Sequence, residues 1–489
     1  MSELISFSRG EAAIAGQTGT EWEKEHGLPA HIYSAAQIRK NLKAFKKVFA
    51  DNYPNGRVCF AAKACTHRET LKIVNEEGCG ADVASYNEAR CALEADIPPE
   101  MLDLNGNCKE DFLIKEAIHK GMNIVADSVE EFENICAIAE ALNKKPKVLL
   151  RISGYELEDI TSDSYFTSGL WTKFGVPLRD LPKFIGTIKN YPQIEFVGFH
   201  THIGSQIAQQ EPYLAVLGKM IEMCALLNST GIQCKVLNLG GGFPVRYVEK
   251  DAWDYIVQRI RQGYLDAEAG DAKHVFVWHD GLAGFATETN AKIHLEKWTG
   301  ERFYTPYPKE KMLEAVLKGQ VQVNGKTVNA VKALQNIGSP LLTIEPGRSV
   351  VEDAGVTLAK VGIVRKVAYE HDLVAIELGV TSHCESLLEK PVRKWEIADE
   401  YDKKDAKPFE AFIGGNLCFS GDMISKYKVF MQRKPKRGEV LIIHDTGAYS
   451  SSLMSANSNS FPRPARVLVK EDGTKVVMKQ RDSFEQIFS

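Results

Sequence analysis

The chain has 489 residues, 44% of them hydrophobic and 25% charged, with a formal net charge of −4. That length exceeds one ordinary core and favours two domains. The small net charge, without a basic tract, argues against nucleic acid or an anionic membrane as the main partner. Ten cysteines are scattered from Cys59 to Cys418 without CxxC pairs, which points away from a disulfide scaffold or zinc site and toward a reducing, cytoplasmic setting. The opening MSELISFSRGEAAIAG lacks a basic segment followed by a long apolar run, so no secretion signal is expected. No apolar run approaches the about 18 residues of a membrane span.

Taken in chain order, residues 1–34 contain a short strand, Ala30–Tyr33, expected to join a later β-domain. From about 35 to 245, short apolar runs (Val58–Ala62, Val148–Ile152, Ile194–Phe199, Val236–Leu239) alternate with amphipathic stretches such as Asp127–Leu142 and Glu211–Leu227. This alternation predicts buried parallel strands with crossover helices, in either a doubly wound sheet or a closed barrel. Residues from about 263 to 330, with a turn-like QVNGKT, interrupt the pattern and read as an insertion. Beyond Glu345 the texture becomes β-rich: Val356–Val367, Leu373–Leu378, Val440–Ile443 and Ala465–Val469 are separated by Gly, Pro and Asp turns. The predicted division is therefore 1–34 with the β-domain, 35–353 as the α/β domain, and 354–489 as the β-domain.

Five motifs carry chemistry. Lys63 ends the strand in VCFAAKAC, where a partly desolvated amine can act as a nucleophile or imine former. HTHIGSQ (200–206) also follows an apolar run. It reads as a metal pair without a third ligand, as an imidazole stacked on an aromatic cofactor with Ser205 facing an anion, or as a hydrogen-bonded strand end. LNLGGGFP (237–244) lets the backbone approach a ligand and offer N–H donors from Gly240, Gly241 and Gly242, but it is not a dinucleotide fingerprint. In TIEPGRSVV (343–351), Glu345 and Arg348 flank a Pro-Gly turn, either facing a ring nitrogen and an anion or bracing the turn. In the β-rich half, NLCFSGDMI (416–424) holds Cys418, an acid or an inert thiol, and HDTGAYSSS holds the Tyr449 hydroxyl.

The ordered series KAC at 63, GCGADVASYNEA from 78, LLRI at 149, KFG at 173, HTHIGSQ, GGGFP, EPGR, CxSGD and GAY resembles the fold-type III decarboxylases that use pyridoxal 5'-phosphate (PLP). The nearest pattern is diaminopimelate decarboxylase, with ornithine and arginine decarboxylases as relatives. The resemblance spans almost the whole chain. It implies a (β/α)8 TIM barrel with a second, mostly antiparallel β-domain, and PLP held as a Schiff base on Lys63. It further implies Glu345 at the pyridine nitrogen, His202 on the ring face, and Ser205, Gly242, Arg348 and Tyr449 at the phosphate. Asp82, Glu88 and Arg151 match positions around the cofactor. Cys418 matches the group that reprotonates the substrate carbon from a neighbouring subunit, which implies a homodimer with shared active sites.

Three departures bear on substrate. Phe419 stands where the family's CESGD carries a glutamate. In ELGVTSHCESLLEKP (377–391), a gapless alignment sets Glu385 near a family arginine and Glu389 near a family tyrosine. An anion replacing a cation repels a carboxylate and attracts an ammonium or guanidinium. The expected substrate is therefore a basic amino acid of the lysine, ornithine or arginine type, in the L- or the D-configuration, with Arg348, Glu385, Cys418, Phe419 and Tyr449 around it. The alternative is that Glu385 is a solvated helix charge and meso-diaminopimelate remains the substrate. The third departure is the longer stretch between Gly240 and Glu345. Racemisation is a further alternative, disfavoured because racemases of this fold place an arginine at the pyridine nitrogen. A decarboxylase-like regulator that has lost PLP is another, disfavoured by the intact Lys63, His202 and phosphate set.

Overall fold

In a computed structural model, residues 4–8, 10–156, 167–278, 303–388, 391–453 and 455–488 are described. The chain divides into two units, one built from Arg39–Pro244 and Pro306–Val350, the other from Met1–Ile38, Val245–Thr305 and Val351–Ser489.

The first unit is a closed barrel. Eight parallel strands, Gly56–Ala61, Gly80–Val83, Leu102–Leu104, Asn123–Ala126, Lys147–Ser153, Glu195–His200, Val236–Asn238 and Leu341–Ile344, pair in a ring, the last with the first. Near-continuous apolar strand sequences are what a sheet covered on both faces requires. Helices start immediately after strands because polar residues cap them: Ser85 accepts from the Glu88 N–H to begin Tyr86–Leu93, and Ser128 from the Glu131 N–H to begin Val129–Ala141. These short loops lie at the strands' C-terminal ends, the face where barrel enzymes assemble their sites.

Inside the barrel, side chains two apart share a face. Val125, Leu149, Val197 and Val236 form an apolar layer. Two residues on, the same face becomes polar, with Asp127, Arg151 and Asn238. On the Glu195–His200 strand a register shift after Phe196 brings His200 rather than Phe199 inward. Gly198, at φ +149, permits the shift, since a Cβ there would strike the Val236 carbonyl.

The second unit is a nine-stranded, mostly antiparallel sheet. Its spine is Gly355–Val367, which pairs antiparallel with Ala30–Ser34, His371–Ile376 and Val440–Ile443. Ala30–Ser34 also pairs parallel with Ala465–Val469. The helix Lys250–Glu268 belongs here as well. Its Trp253, Ile256 and Ile260 pack with Phe276, Phe303 and Tyr427, and Arg259 makes a two-pronged ion pair with Glu410 (3.1 and 2.9 Å). The QVNGKT turn joins an antiparallel hairpin, Gln320–Val323 with Lys326–Asn329, in the barrel unit. Asn324 and Gly325 take the positive φ values (+49° and +74°) that such a turn needs.

Candidate active site in the barrel

The polar layer at the C-terminal ends of the barrel strands is organised around Glu345, just beyond the last strand and 3% exposed. Asn105 and Asn238 both donate to its Oε1, at 3.1 and 2.8 Å, and the His200 ring nitrogen Nε2 lies 3.2 Å from the carboxylate. Burial, then the nearby Asp103 charge, lifts the Glu345 carboxyl to about 7, against a smaller downward pull from Lys63 and the two amides. Asp82, at the end of the second barrel strand, accepts from Asn105 at 2.6 Å. Burial and the Glu345 charge raise it also to about 7. His200 is pushed down to about 3, by burial and then by Arg151.

Lys63 lies in the single turn Ala62–Ala64 directly after the first barrel strand and is partly buried. Its ammonium acts electrostatically on Asp82, Glu88, His202 and Glu345, which places it among them. Glu88 accepts from the Ala84 N–H (2.8 Å) and Thr66 hydroxyl (3.3 Å), tying the loops after the first two strands together. Arg151 is stacked on Phe174 (4.1 Å) and donates to Asp127 at 3.4 Å, while Asp127 also accepts from the Gly175 N–H. The KFG segment therefore braces Arg151.

His202 accepts from the Gly241 N–H at its Nδ1 (3.1 Å), so the neutral ring carries its proton on Nε2. Burial, then Lys63 and Arg151, keeps it neutral well below the ordinary histidine range. The glycine run is bound to this geometry. A Cβ at Gly240 would meet the Thr201 carbonyl and the His202 backbone, one at Gly241 the Glu345 carbonyl, and one at Gly242 the Gly204 carbonyl at 2.7 Å. The Arg348 guanidinium donates to the Ser205 hydroxyl at 3.3 Å, so Ser205, Arg348 and Gly242 form one donor-rich corner. Among the described residues no protein acceptor faces the Gly242 N–H.

In the sheet unit, Cys418 is exposed and its N–H donates to Asn459 (2.9 Å), while Phe419 is half-exposed. Asp422 shapes that loop by accepting from the Val380 and Leu417 N–H groups (2.6 and 2.7 Å). Tyr449 adopts φ +59 and is partly buried. Glu385, in the helix Cys384–Leu388, is 1% exposed, so it is not a solvated helix charge. Glu389 lies outside the described residues.

Three residues escaped sequence reasoning. Asn105 and Asn238 are neutral amides without a motif of their own, and His200 was passed over for its neighbour His202. What marks two of them is the step from apolar to polar along a strand's inward face, as in Val236 to Asn238.

The donor set suits a planar phosphorylated aldehyde. It combines an amine, a buried carboxylate that lacks a formal cation in direct contact, a neutral imidazole and an anion corner. Buried polar atoms without protein partners, His200 Nδ1, Arg151 Nε and Asn105 Oδ1, lie in the same layer. Residues 35–278 match the family described as pyridoxal-dependent decarboxylase, pyridoxal binding domain. The chain belongs to the pyridoxal-dependent decarboxylases. It is a PLP-dependent carboxy-lyase of the diaminopimelate/ornithine decarboxylase group. It is 28% identical over 481 residues to the diaminopimelate decarboxylase of Staphylococcus aureus, covering 98% of this chain and 97% of that one. The crystal structure of a diaminopimelate decarboxylase from M. jannaschii in complex with L-lysine superimposes with a TM-score of 0.77 at 22% identity, covering 100% and 97% of the two chains. That of lysine/ornithine decarboxylase from Vibrio vulnificus with putrescine gives 0.66 at 17%, covering 93% and 97%. These two show the shared fold, barrel and sheet domain alike. Among the described residues no helix is long and apolar enough to cross a membrane.

Proposed function

We propose that this decarboxylase acts on an α-amino acid with a cationic distal end, of the lysine, ornithine or arginine type, in the L- or the D-configuration. The observation that carries this reading is Glu385: a buried carboxylate in the stretch where the family pattern has an arginine that grips a distal carboxylate. A buried anion repels a carboxylate and favours an ammonium or guanidinium. Phe419, in place of the family glutamate, removes one anion from the site, so attraction of a distal cation rests on Glu385. The second reading is meso-diaminopimelate, favoured by full-length similarity to enzymes of that name.

When bound, PLP supplies an electron-accepting pyridinium for the pair left by the departing carboxylate. Lys63 would hold the cofactor through its amine, beside Asp82, Glu88 and Glu345. Glu345, fixed by Asn105, Asn238 and His200, holds the proton at the ring nitrogen. His202, oriented by the Gly241 N–H, would cover one face of the cofactor ring and exclude water from it. Ser205, Arg348 and the Gly240–Gly242 backbone would hold the phosphate, and Asp82 and Arg151 would complete the cofactor's surroundings. Cys418 returns a proton to the substrate carbon. Its exposure leaves it open to the barrel of a second copy, which supports a homodimer with shared sites as part of this proposal.

The test is CO2 release from meso-diaminopimelate and from both enantiomers of lysine, ornithine and arginine. A basic amino acid is expected to give the highest kcat/KM. Strong preference for meso-diaminopimelate overturns this reading and establishes the second.

A further inference from the structure

Barrel interiors are ordinarily filled by bulky branched side chains, and a buried ion pair recovers its desolvation cost only when its remaining hydrogen-bonding positions are satisfied. Below the Glu345 layer this barrel carries such a pair. Asp103, 1% exposed, accepts from Arg57 Nη2 at 3.1 and 3.3 Å and from Asn123 Nδ2 at 2.8 Å. It also accepts from Asn238 Nδ2 at 3.3 Å, and that same nitrogen donates to Glu345 Oε1 at 2.8 Å. One amide nitrogen thus spans two carboxylates. The other end of the amide is fixed as well, because Asn238 Oδ1 accepts from the Gly240 N–H at 2.9 Å. Rotating the amide by half a turn would set donor against donor at Gly240 and acceptor against acceptor at both carboxylates. Strand register explains the chain of contacts: Arg57 pairs with Thr343, Thr343 with Asn238, and Asn238 with His200 across four neighbouring strands.

We propose that Asn238 and Asp103 are positioning residues for Glu345. Asn238 fixes where the carboxylate points, Asp103 adds a second negative charge beneath the proton that Glu345 shares with the ring nitrogen, and Arg57 anchors Asp103. This rests on the reading that Glu345 faces the cofactor's ring nitrogen. The other groups acting on Glu345 are Cys59 and Lys63 from the first strand and its turn, Asp82 from the second, Arg151 from the fifth and His200 from the sixth. Asn105 makes a comparable bridge, its Nδ2 donating to Asp82 at 2.6 Å and to Glu345 Oε1 at 3.1 Å; what sets Asn238 apart is that it joins Glu345 to the Asp103–Arg57 pair. The charge of Asp103 acts on Glu345 in the direction of tighter proton binding.

The test uses holoenzyme carrying PLP labelled with 15N at the ring nitrogen, whose chemical shift reports protonation against pH. Arg57→Gln/Asp103→Asn removes both charges together and spares the fold an unpaired ion. It is expected to move loss of the ring proton about one pH unit lower, a tenfold change in proton affinity. Asn238→Leu keeps the Arg57–Asp103 pair intact and is expected to lower kcat about tenfold with KM nearly constant, the signature of an interaction made only in the transition state. If both variants keep the titration midpoint and kcat of the parent while melting earlier, the network only supports the fold and the proposal falls. Glu345→Gln in the same measurement separates the two layers of the argument: an unchanged 15N shift there overturns the placement of Glu345 itself.

Discussion

Glu345→Gln should make the cofactor-free chain more stable at alkaline pH while disabling it. In the folded chain burial and the Asp103 charge hold the Glu345 carboxyl protonated to about 7, against an ordinary value of 4.5. The folded state therefore binds a proton that the unfolded state has released, and stability falls as pH rises through that window. Above it the full penalty is in place. At about 1.4 kcal/mol for each pH unit, that penalty is on the order of 3 kcal/mol. Glutamine has the same shape and no charge to bury. Its oxygen accepts from Asn105 and Asn238 as Oε1 does now, and its NH2 faces His200 Nε2. The histidine answers by moving its proton to Nδ1, an atom without a protein partner in either tautomer. Thermal unfolding of cofactor-free parent and variant at pH 5 and pH 8 measures the effect. Near pH 5 the two should melt together; at pH 8 the variant should melt higher by on the order of 5 °C. A variant no more stable at pH 8, or one shifted equally at both pH values, refutes the assignment of Glu345 as a carboxylate ionised at a cost.

The anion corner makes a graded prediction. Arg348→Ala should weaken PLP binding by about 2–3 kcal/mol, roughly 30- to 150-fold, and Ser205→Ala by about 1 kcal/mol, as read by fluorescence titration of the cofactor-free protein. Gly241→Ala forces a methyl against the Glu345 carbonyl and should cost about 1–3 kcal/mol of stability in the melting curve, with loss of activity as His202 shifts. In the sheet unit, Arg393 donates to Glu352 (3.2 Å), which is 0% exposed and also receives the Tyr247 hydroxyl and the Ala448 N–H. Arg393→Met removes that cation from beside the buried carboxylate and should destabilise by about 3–5 kcal/mol in denaturant unfolding.

Much of the barrel was readable because its strands are short apolar runs ended by polar caps. Val58–Ala62, Val148–Ile152, Ile194–Phe199 and Val236–Leu239 each fall within one or two residues of an observed strand. Periodicity could not distinguish a closed ring from an open sheet, since closure depends on the Leu341–Ile344 strand pairing with Gly56–Ala61 from far earlier in the chain. Lys63, Glu345 and the Ser205–Arg348 pair stood out because each carries a charged or hydroxyl group at a strand end. Asn105 did not: it reaches Glu345 across 240 positions, and a neutral amide gives no local sign of such a partner. The helix Lys250–Glu268 was likewise hidden, because its apolar face is completed only by Phe276, Phe303 and Tyr427.

The interleaving of the two units has a consequence for biosynthesis. A ribosome releases Met1–Ile38 first, then seven barrel strands, then Val245–Thr305, and only afterwards Leu341–Ile344. Until that last strand emerges, Gly56–Ala61 and Val236–Asn238 each present an unsatisfied edge, and the sheet's spine at Gly355–Val367 has yet to be made. Neither unit can finish before the other has begun, so the nascent chain exposes both sticky borders throughout synthesis of the stretch between Asn238 and Leu341. Chaperone dependence of expression, rather than melting temperature, is the property this arrangement governs.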